Sequence, residues 1–109
     1  MFAIYNYRVE MDLETESMYV QLPKHAKVLS LLLKDINEAY VYAIVDLKNI
    51  EEEVRREVLW LGTGWQLLEE QKSRMNYYTF LGTYKIQDLV WHFWIEPEKE
   101  EFNMPNYPF

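Results

Sequence analysis

The sequence predicts an all-β protein, mainly antiparallel, built as a small sandwich or barrel of about seven strands. Short apolar runs alternate with polar residues at regular spacing along the chain. Half of the 109 residues are apolar and 17% are aromatic, which is enough bulk for one core without disulfides. The only glycines lie in Leu61-Gly62-Thr63-Gly64 and Leu81-Gly82-Thr83, and glycine inside a strand marks a bulge, a bend or close backbone approach.

The first four strands are predicted from alternation and from β-branched and aromatic content. Residues 2–10 alternate, and residues 17–22 do so cleanly until Pro23 ends the run. Residues 26–34 contain enough leucine for a helix. They nevertheless lie between a proline turn and the clear strand at 39–47, from which a short polar turn separates them. We therefore predict that 26–34 and 39–47 form a hairpin.

The second half of the chain is predicted to hold three more strands. Residues 49–53 favour a polar turn, with one helical turn as the alternative, before a strand over 54–65. Residues 66–76 are polar and predict an exposed connection with at most a short helical turn. Aromatic and β-branched residues predict strands at 77–85 and 89–95.

Composition divides the chain into a single β domain, residues 1–95, and an acidic, proline-containing tail, residues 96–109. Such a tail does not join a sheet interior, so it is either disordered or an extended arm that docks on a partner. The tail residues that we predict to contact a partner are Glu98, Glu100, Glu101, Phe102, Tyr107 and Phe109.

The charge balance restricts the classes of partner. The net charge of −7 argues against direct binding of nucleic acid and of anionic membranes, which select basic surfaces. It permits a partner protein with a basic surface, because complementary charge speeds encounter. The start of the chain lacks a signal-peptide pattern and its apolar runs are short, so the sequence predicts a soluble, cytoplasmic protein.

No catalytic constellation is visible, so we predict a protein that is not an enzyme and that uses no cofactor. Nucleophile-elbow, phosphate-loop and dinucleotide fingerprints are missing, and the glutamate runs resemble solvated faces. Two histidines without cysteine make a transition-metal site improbable. His92 lies in an aromatic strand, where it is either a packed residue with one hydrogen-bond partner or a ligand contact.

A small nucleotide is the alternative ligand. Backbone amides of Gly62, Thr63 and Gly64 would meet its phosphate, with charge from Arg74 or Lys85, and Trp65 would stack on its base. His92 completes this set of predicted ligand contacts. A pair of glycines that merely bends a strand has the same sequence pattern.

The aromatic residues outnumber the needs of a core of this size. Tyr40 and Tyr42 share one face of their predicted strand, opposite Val41. If that face is exposed, it marks an interface with a partner protein or with a second copy in a homodimer. The alternative is that these tyrosines rim the core.

The order of several landmarks resembles a family of small, mostly uncharacterised proteins encoded by bacteriophages and prophages. The matching segments span residues 2 to 95 and are Leu22-Pro23, Ala26–Ser30, Ala39–Asp46, Leu61–Gly64, Phe80–Tyr84 and Leu89–Phe93. The residues 66–76 and the tail depart from the pattern. The resemblance supports strands at 26–34 and 54–65. It implies a host-takeover or anti-defence inhibitor that blocks a host protein surface. The alternatives are an oligomer that sequesters a nucleotide signal and a virion or morphogenesis accessory protein.

Overall fold

The structure, a computed structural model, describes residues 1–35 and 37–98. It contains eight strands and one helix within these residues, which confirms the predicted all-β, mainly antiparallel class. In chain order the elements are β1 (Phe2–Arg8), β2 (Glu10–Asp12), β3 (Ser17–Pro23), β4 (Lys27–Asp35), β5 (Glu38–Asp46), β6 (Glu53–Gly62), α1 (Glu69–Tyr77), β7 (Thr79–Ile86) and β8 (Leu89–Ile95).

The strands form two antiparallel sheets, with the orders β1-β5-β4 and β2-β3-β6-β8-β7. Between β1 and β2 the chain crosses from one sheet to the other at Val9, whose amide donates to the carbonyl of Ala39 at 2.9 Å. At the other edge, the hydroxyl of Tyr84 on β7 donates to the carbonyl of Leu31 on β4. The chain joins the two sheets at one edge and a side-chain hydrogen bond joins them at the other, and we call this two-sheet arrangement a flattened barrel.

The core is built from the inward-facing residues of both sheets, as strand alternation requires. Its members are at most 4% exposed: Val20, Leu22, Ala26, Leu31, Val41, Ala43, Val45, Val58, Phe93 and Ile95. Each fully buried aliphatic or aromatic side chain of this kind stabilises the fold by about 1.5–3 kcal/mol. This shared apolar layer holds the two sheets together.

One end of the barrel is closed around a buried cation, Arg56, which is 2% exposed. Its Nε donates to the carbonyl of Glu96 at 2.8 Å, and its Nη1 donates to the carbonyl of Ala26 at 3.1 Å. These bonds tie β6 to the turn after β3 and to the chain that leaves β8. A buried guanidinium is tolerated because it is hydrogen-bonded in this way.

The strand boundaries differ from the predicted ones by more than one residue in three places. Tyr77, predicted to begin a strand, ends α1, and β7 begins at Thr79. The first predicted strand divides at Val9, which gives eight strands instead of about seven. Strand β6 ends at Gly62, before the predicted end, because the amide of Trp65 turns back to the carbonyl of Gly62 at 3.2 Å.

The predicted helical turn within residues 66–76 is the start of α1, a helix of nine residues. Its first turn is acidic and its last turn contains Arg74, so both ends complement the helix dipole. The side chain of Gln71 caps the helix by accepting from the amide of Leu68 at 2.9 Å. None of its residues is buried, so α1 is a surface element.

Two of the glycines leave space for aromatic rings that fold back over them. A Cβ atom on Gly62 would lie 2.7 Å from Nε1 of Trp65, and one on Gly82 would lie 3.0 Å from the Tyr84 ring. Gly82 has φ +142° and lies at a register shift between β7 and β8. The sequence-based interpretation of these glycines as sites of a bulge or close approach is confirmed.

Substituting Gly82 tests this constraint. Gly82→Ala would place a side chain at a strained φ and against the Tyr84 ring, which is fixed by its hydrogen bond to the carbonyl of Leu31. We therefore expect the free energy of unfolding to fall by about 3 kcal/mol. Gly64→Ala is the matched control, because Gly64 has φ +87° and open space around its Cα. We expect the control to lose about 1 kcal/mol in the same urea titration. Equal losses for both variants would contradict the proposed ring contact.

Candidate functional site

A cavity of about 460 Å³, the mouth cavity, opens at the end of the barrel opposite Arg56. It lies where β1, β4, β6 and β7 end and β2, β3, β5 and β8 begin. Aromatic residues Trp60, Trp91 and Phe93 line it together with aliphatic and methionine side chains, including Met11, Met18, Leu33 and Ile86. Arg8, Glu10, Asn37 and Glu38 also line it and supply its polar groups. Its size and largely apolar lining are typical of ligand sites in the mouths of β-barrels.

Three tryptophans cluster at this end of the barrel. The ring centroids of Trp60 and Trp91 are 5.0 Å apart, and the Trp65 ring lies 5.6 Å and 5.2 Å from them. The rings are tilted or edge-on to one another, which is the favourable geometry for aromatic pairs. Gly62 permits this arrangement because it has no Cβ atom under the Trp65 ring. The cluster supplies a rigid aromatic surface beside the mouth cavity.

The polar groups of the mouth cavity carry an excess of negative charge, with two carboxylates against one guanidinium. Arg8 is engaged, because its Nη2 donates to the carbonyl of Asn37 at 3.2 Å. Glu38 accepts from the hydroxyl of Tyr40 at 2.5 Å, and this bond raises the pKa of the Tyr40 phenol. Glu10 is exposed and makes no ion pair with any residue in the described part of the chain.

The mouth is bordered by the acidic hairpin, residues 10–16, which joins β2 to β3. It alternates four carboxylates with exposed apolar side chains, Met11 at 42% and Leu13 at 86% exposure. Asp12 orders its turn, since one carboxylate oxygen accepts from the amides of Glu14 at 3.0 Å and Thr15 at 3.4 Å. The hairpin therefore holds its apolar side chains toward solvent in a defined conformation.

Arg55 on β6 anchors the acidic hairpin. Its Nη2 donates to Oδ2 of Asp12 at 3.0 Å, and its guanidinium lies 3.6 Å from the centroid of the Tyr19 ring. The hydrogen bond from Arg55, followed by those from the two backbone amides, lowers the pKa of the Asp12 carboxyl. The ion pair is solvent-exposed, so its effect is on the geometry of the hairpin more than on global stability.

A second cavity of about 540 Å³, the side cavity, lies between the acidic hairpin, β6 and α1. Trp65, Arg55 and Arg74 line it, which brings together two of the residues predicted to bind a nucleotide. Arg74 is already paired, because it donates to Glu57 at 2.7 Å and to Glu70 at 2.9 Å. The hydroxyl of Tyr78 also donates to Glu57, at 2.8 Å.

The segment predicted to meet a phosphate, residues 62–64, does not line a cavity, and some amides in and beside it already make hydrogen bonds. The amide of Thr63 donates to the carbonyl of Val90 at 3.0 Å, and the amide of Trp65 donates to Gly62. Two amides near the glycines are therefore already engaged. Gly62, Thr63, Gly64 and Lys85 are not among the residues that line either cavity.

His92 lies between the threonines of the two matching tripeptides. Its Nε2 is 2.7 Å from Oγ1 of Thr63, and its Nδ1 is 2.9 Å from Oγ1 of Thr83. This follows from the topology, because β8 pairs with β6 on one side and with β7 on the other. Both ring nitrogens have hydrogen-bond partners, so the geometry favours the packed role of His92 over the ligand role.

The residues predicted to contact a partner lie on different parts of the molecule. Tyr40 and Tyr42 are half-buried on the outer face of the sheet β1-β5-β4, since Val41 between them points into the core. Glu98 accepts from the amide of His25 at 2.8 Å. The remaining predicted contacts, Glu100, Glu101, Phe102, Tyr107 and Phe109, lie outside the described residues.

Sequence reasoning missed the mouth cavity. The signal in the sequence is the alternation of acidic and apolar residues over 10–14, which does not by itself indicate a cavity. The excess of aromatic residues is visible in the sequence, but the positions of Trp60 and Trp91 in the fold are not. The structure shows that both belong to one cavity with Glu10 and Met11.

Two further classes of feature, metal-binding clusters and membrane-spanning helices, are absent from the described residues. Residues 1–35 and 37–98 contain no group of histidine, aspartate and glutamate side chains placed to hold a metal ion. No helix in this part of the chain is long and apolar enough to cross a membrane.

Comparison with known families gives one match. Residues 1–103 match the model of a family described as Domain of unknown function (DUF7352). The chain belongs to the DUF7352 family. No curated protein and no solved structure matches it significantly. The DUF7352 match includes every residue that lines the mouth cavity and the side cavity, so both cavities belong to the family domain.

The Arg55–Asp12 bond can be tested by titration. We expect Arg55→Gln to raise the pKa of the Asp12 carboxyl toward about 3.9, its unperturbed value. In the native protein the stabilising bond is present above that value and is lost as the pH falls through the depressed pKa. Carboxyl chemical shifts measured by NMR between low and neutral pH report this directly, with Arg8→Gln as the control. An unchanged Asp12 titration in Arg55→Gln would contradict the assignment.

Proposed function

We propose that this DUF7352 protein is a small acidic binding protein that covers a basic surface of a partner protein. The observation that carries the proposal is the combination, at one end of the barrel, of an apolar cavity, exposed apolar side chains and the carboxylate of Glu10, which has no ion pair within the described residues. The binding surface, which we call the mouth surface, consists of the mouth cavity and the acidic hairpin.

The exposed apolar side chains support binding in preference to a purely structural role. Leu13 is 86% exposed and Met11 is 42% exposed, and both line the mouth cavity beside Trp60 and Trp91. Apolar groups that stay in water contribute nothing to the stability of the isolated barrel. A contiguous apolar patch with a polar rim is characteristic of a protein interaction site.

The charges of the mouth surface favour a basic partner. The acidic hairpin has four carboxylates in seven residues and no basic residue, and the whole chain has 18 acidic against 11 basic residues. Such a field steers a basic surface into contact and repels an acidic one. A protein that normally holds nucleic acid presents such a basic surface.

The resemblance to phage-encoded proteins supports the biological part of the proposal. We propose that the protein acts in the cytoplasm of an infected bacterium as a host-takeover or anti-defence inhibitor. It would act by occupying the basic surface of a nucleic-acid-handling host or defence protein, without chemical conversion of that protein.

Charge reversal on the mouth surface tests the proposal. The intact protein is used to capture proteins from bacterial extract at about 0.05 M and about 0.5 M salt. We expect one basic protein to be retained at low salt and to be lost at high salt, because screening weakens exposed charge pairs. The double variant Glu10→Lys/Glu14→Lys should lose this protein. Isothermal titration of the purified partner then gives the change in affinity.

The matched control is Glu51→Lys/Glu52→Lys, which changes the net charge equally in the turn before β6. Leu13→Ala and Leu68→Ala form a second pair, since both leucines are exposed but only Leu13 lines the mouth cavity. We expect each control to bind as the unmodified protein does. Capture of no basic protein, or equal loss in both charge variants, would refute binding through the mouth surface.

Nucleotide sequestration is a second candidate function. It is favoured by the side cavity, where Trp65 supplies a ring for stacking and Arg55 and Arg74 supply positive charge. Three carboxylates, those of Glu16, Glu57 and Glu70, line the same cavity and offset these cations. A phosphate would have to displace Arg74 from Glu57, which makes this the weaker candidate.

A thermal-shift panel tests the second candidate. Cyclic nucleotides and ADP-ribose are added at millimolar concentration, and a ligand at a hundred times its Kd stabilises the fold by about 2.7 kcal/mol. If the side cavity binds one of them, the resulting rise in Tm should disappear in Trp65→Leu and persist in Phe80→Leu, which changes an aromatic residue outside that cavity. No rise with any compound would exclude sequestration of these nucleotides.

A further inference from the structure

We propose that the mouth cavity is an anchor pocket for a single lysine or arginine side chain of the partner. The aliphatic stem of that side chain would lie against Trp60 and Trp91, and its cationic head would meet Glu10 at the rim. This inference rests on the proposed function, because it names the group by which a basic partner is held.

The size and the position of the cavity allow it to take one long side chain. At about 460 Å³ it is large enough for a small ligand or an inserted side chain, and it lies at the end of the barrel where the strands of both sheets begin or end. Phe93, which is 4% exposed, belongs both to the core and to the lining of the cavity. An inserted side chain would therefore reach the apolar core layer.

The chemistry of the lining favours a stem that is apolar and a head that is cationic. Tryptophan has the strongest attraction for a cation of the aromatic side chains, and Trp60 and Trp91 are both present. Lysine and arginine bury their methylene stems along apolar surface while the charged head stays near water. The cavity offers both environments, since the half-buried Met18 and Leu33 line it and the exposed carboxylate of Glu10 lies at its rim.

The charges at the opening discriminate between the signs of the head group. Arg8 is engaged with the carbonyl of Asn37, and Glu38 accepts from Tyr40. Glu10 has no ion pair within the described residues, so its carboxylate is the natural counter-ion for an incoming cation. An anionic head would meet two carboxylates against one guanidinium, that of Arg8, and a neutral head would gain nothing from Glu10.

The test uses the full chain and three capped five-residue peptides that differ only at their centre. The central residue is lysine, norleucine or glutamate, so the first two share a stem and differ in the charge. Binding is followed by intrinsic tryptophan fluorescence, because three of the four tryptophans lie at the mouth. We expect the lysine peptide to bind at least about tenfold more tightly than either of the others.

Glu10→Gln separates the charge contribution from the apolar one. We expect it to weaken the lysine peptide about threefold, within the range of an exposed ion pair, and to leave the norleucine peptide unchanged. Glu51→Gln removes the same charge from another surface and should change neither affinity. Glu10 is exposed, so the substitution is not expected to impair folding.

The outcomes separate this inference from the proposed function. Equal affinity for all three peptides, or none for any, would overturn the cationic anchor, while capture of a basic protein through the mouth surface would still stand. Tight lysine binding without any captured protein would refute the proposed function and leave a pocket for organic cations. If sedimentation shows a dimer that the lysine peptide neither dissociates nor binds, a second copy covers the mouth cavity. The proposed anchor pocket would then be overturned.

Discussion

Gly62 and Gly82 have no Cβ atom, and this leaves the space that two aromatic rings occupy, those of Trp65 and Tyr84. The absence at Gly82 lets the Tyr84 ring fold back so that its hydroxyl reaches the carbonyl of Leu31, which joins β7 to β4. The absence at Gly62 lets the Trp65 ring pack on Trp60 and Trp91. One glycine therefore helps to close the side of the barrel, and the other helps to shape its open end. The Leu-Gly-Thr tripeptide occurs at the end of β6 and within β7, and these two strands pair with opposite sides of β8.

The distribution of paired charges explains why the open end is acidic. Three arginines on β6 and α1 are engaged: Arg55 with Asp12, Arg56 with the carbonyls of Glu96 and Ala26, and Arg74 with Glu57 and Glu70. Each exposed pair contributes little to stability, about 0–1 kcal/mol. Arg55 offsets one of the four carboxylates of the acidic hairpin, whereas Arg56 and Arg74 are engaged with other groups. The other three carboxylates, those of Glu10, Glu14 and Glu16, leave the hairpin with a net negative charge beside the mouth cavity.

The strands were predictable from the sequence because alternation is a local property. The hairpin of residues 27–46 follows from the clear strand pattern of 39–47 and from the turns on either side of 26–34. The packed role of His92 is one of two roles that the sequence leaves open, and the pairing of β8 with β6 and β7 favours it. The mouth cavity was not predictable in this way, because its lining comes from all eight strands and from three connections between strands. Arg74 shows the same limit. Its charge suggested a phosphate contact, but its partner Glu57 lies 17 residues away and is brought near only by the placement of α1.

The two ends of the barrel illustrate how stability and binding are separated in a small domain. At the closed end, Arg56 is 2% exposed and its hydrogen bonds join three segments, so changes there act on folding. At the open end, Leu13 and Glu10 are exposed and contribute little to the core, so they are free to serve recognition. Carboxylates held close together repel one another in the isolated protein. A basic partner would relieve this repulsion and would also cover the exposed apolar side chains. Both unfavourable features of the mouth surface would therefore favour binding of that partner.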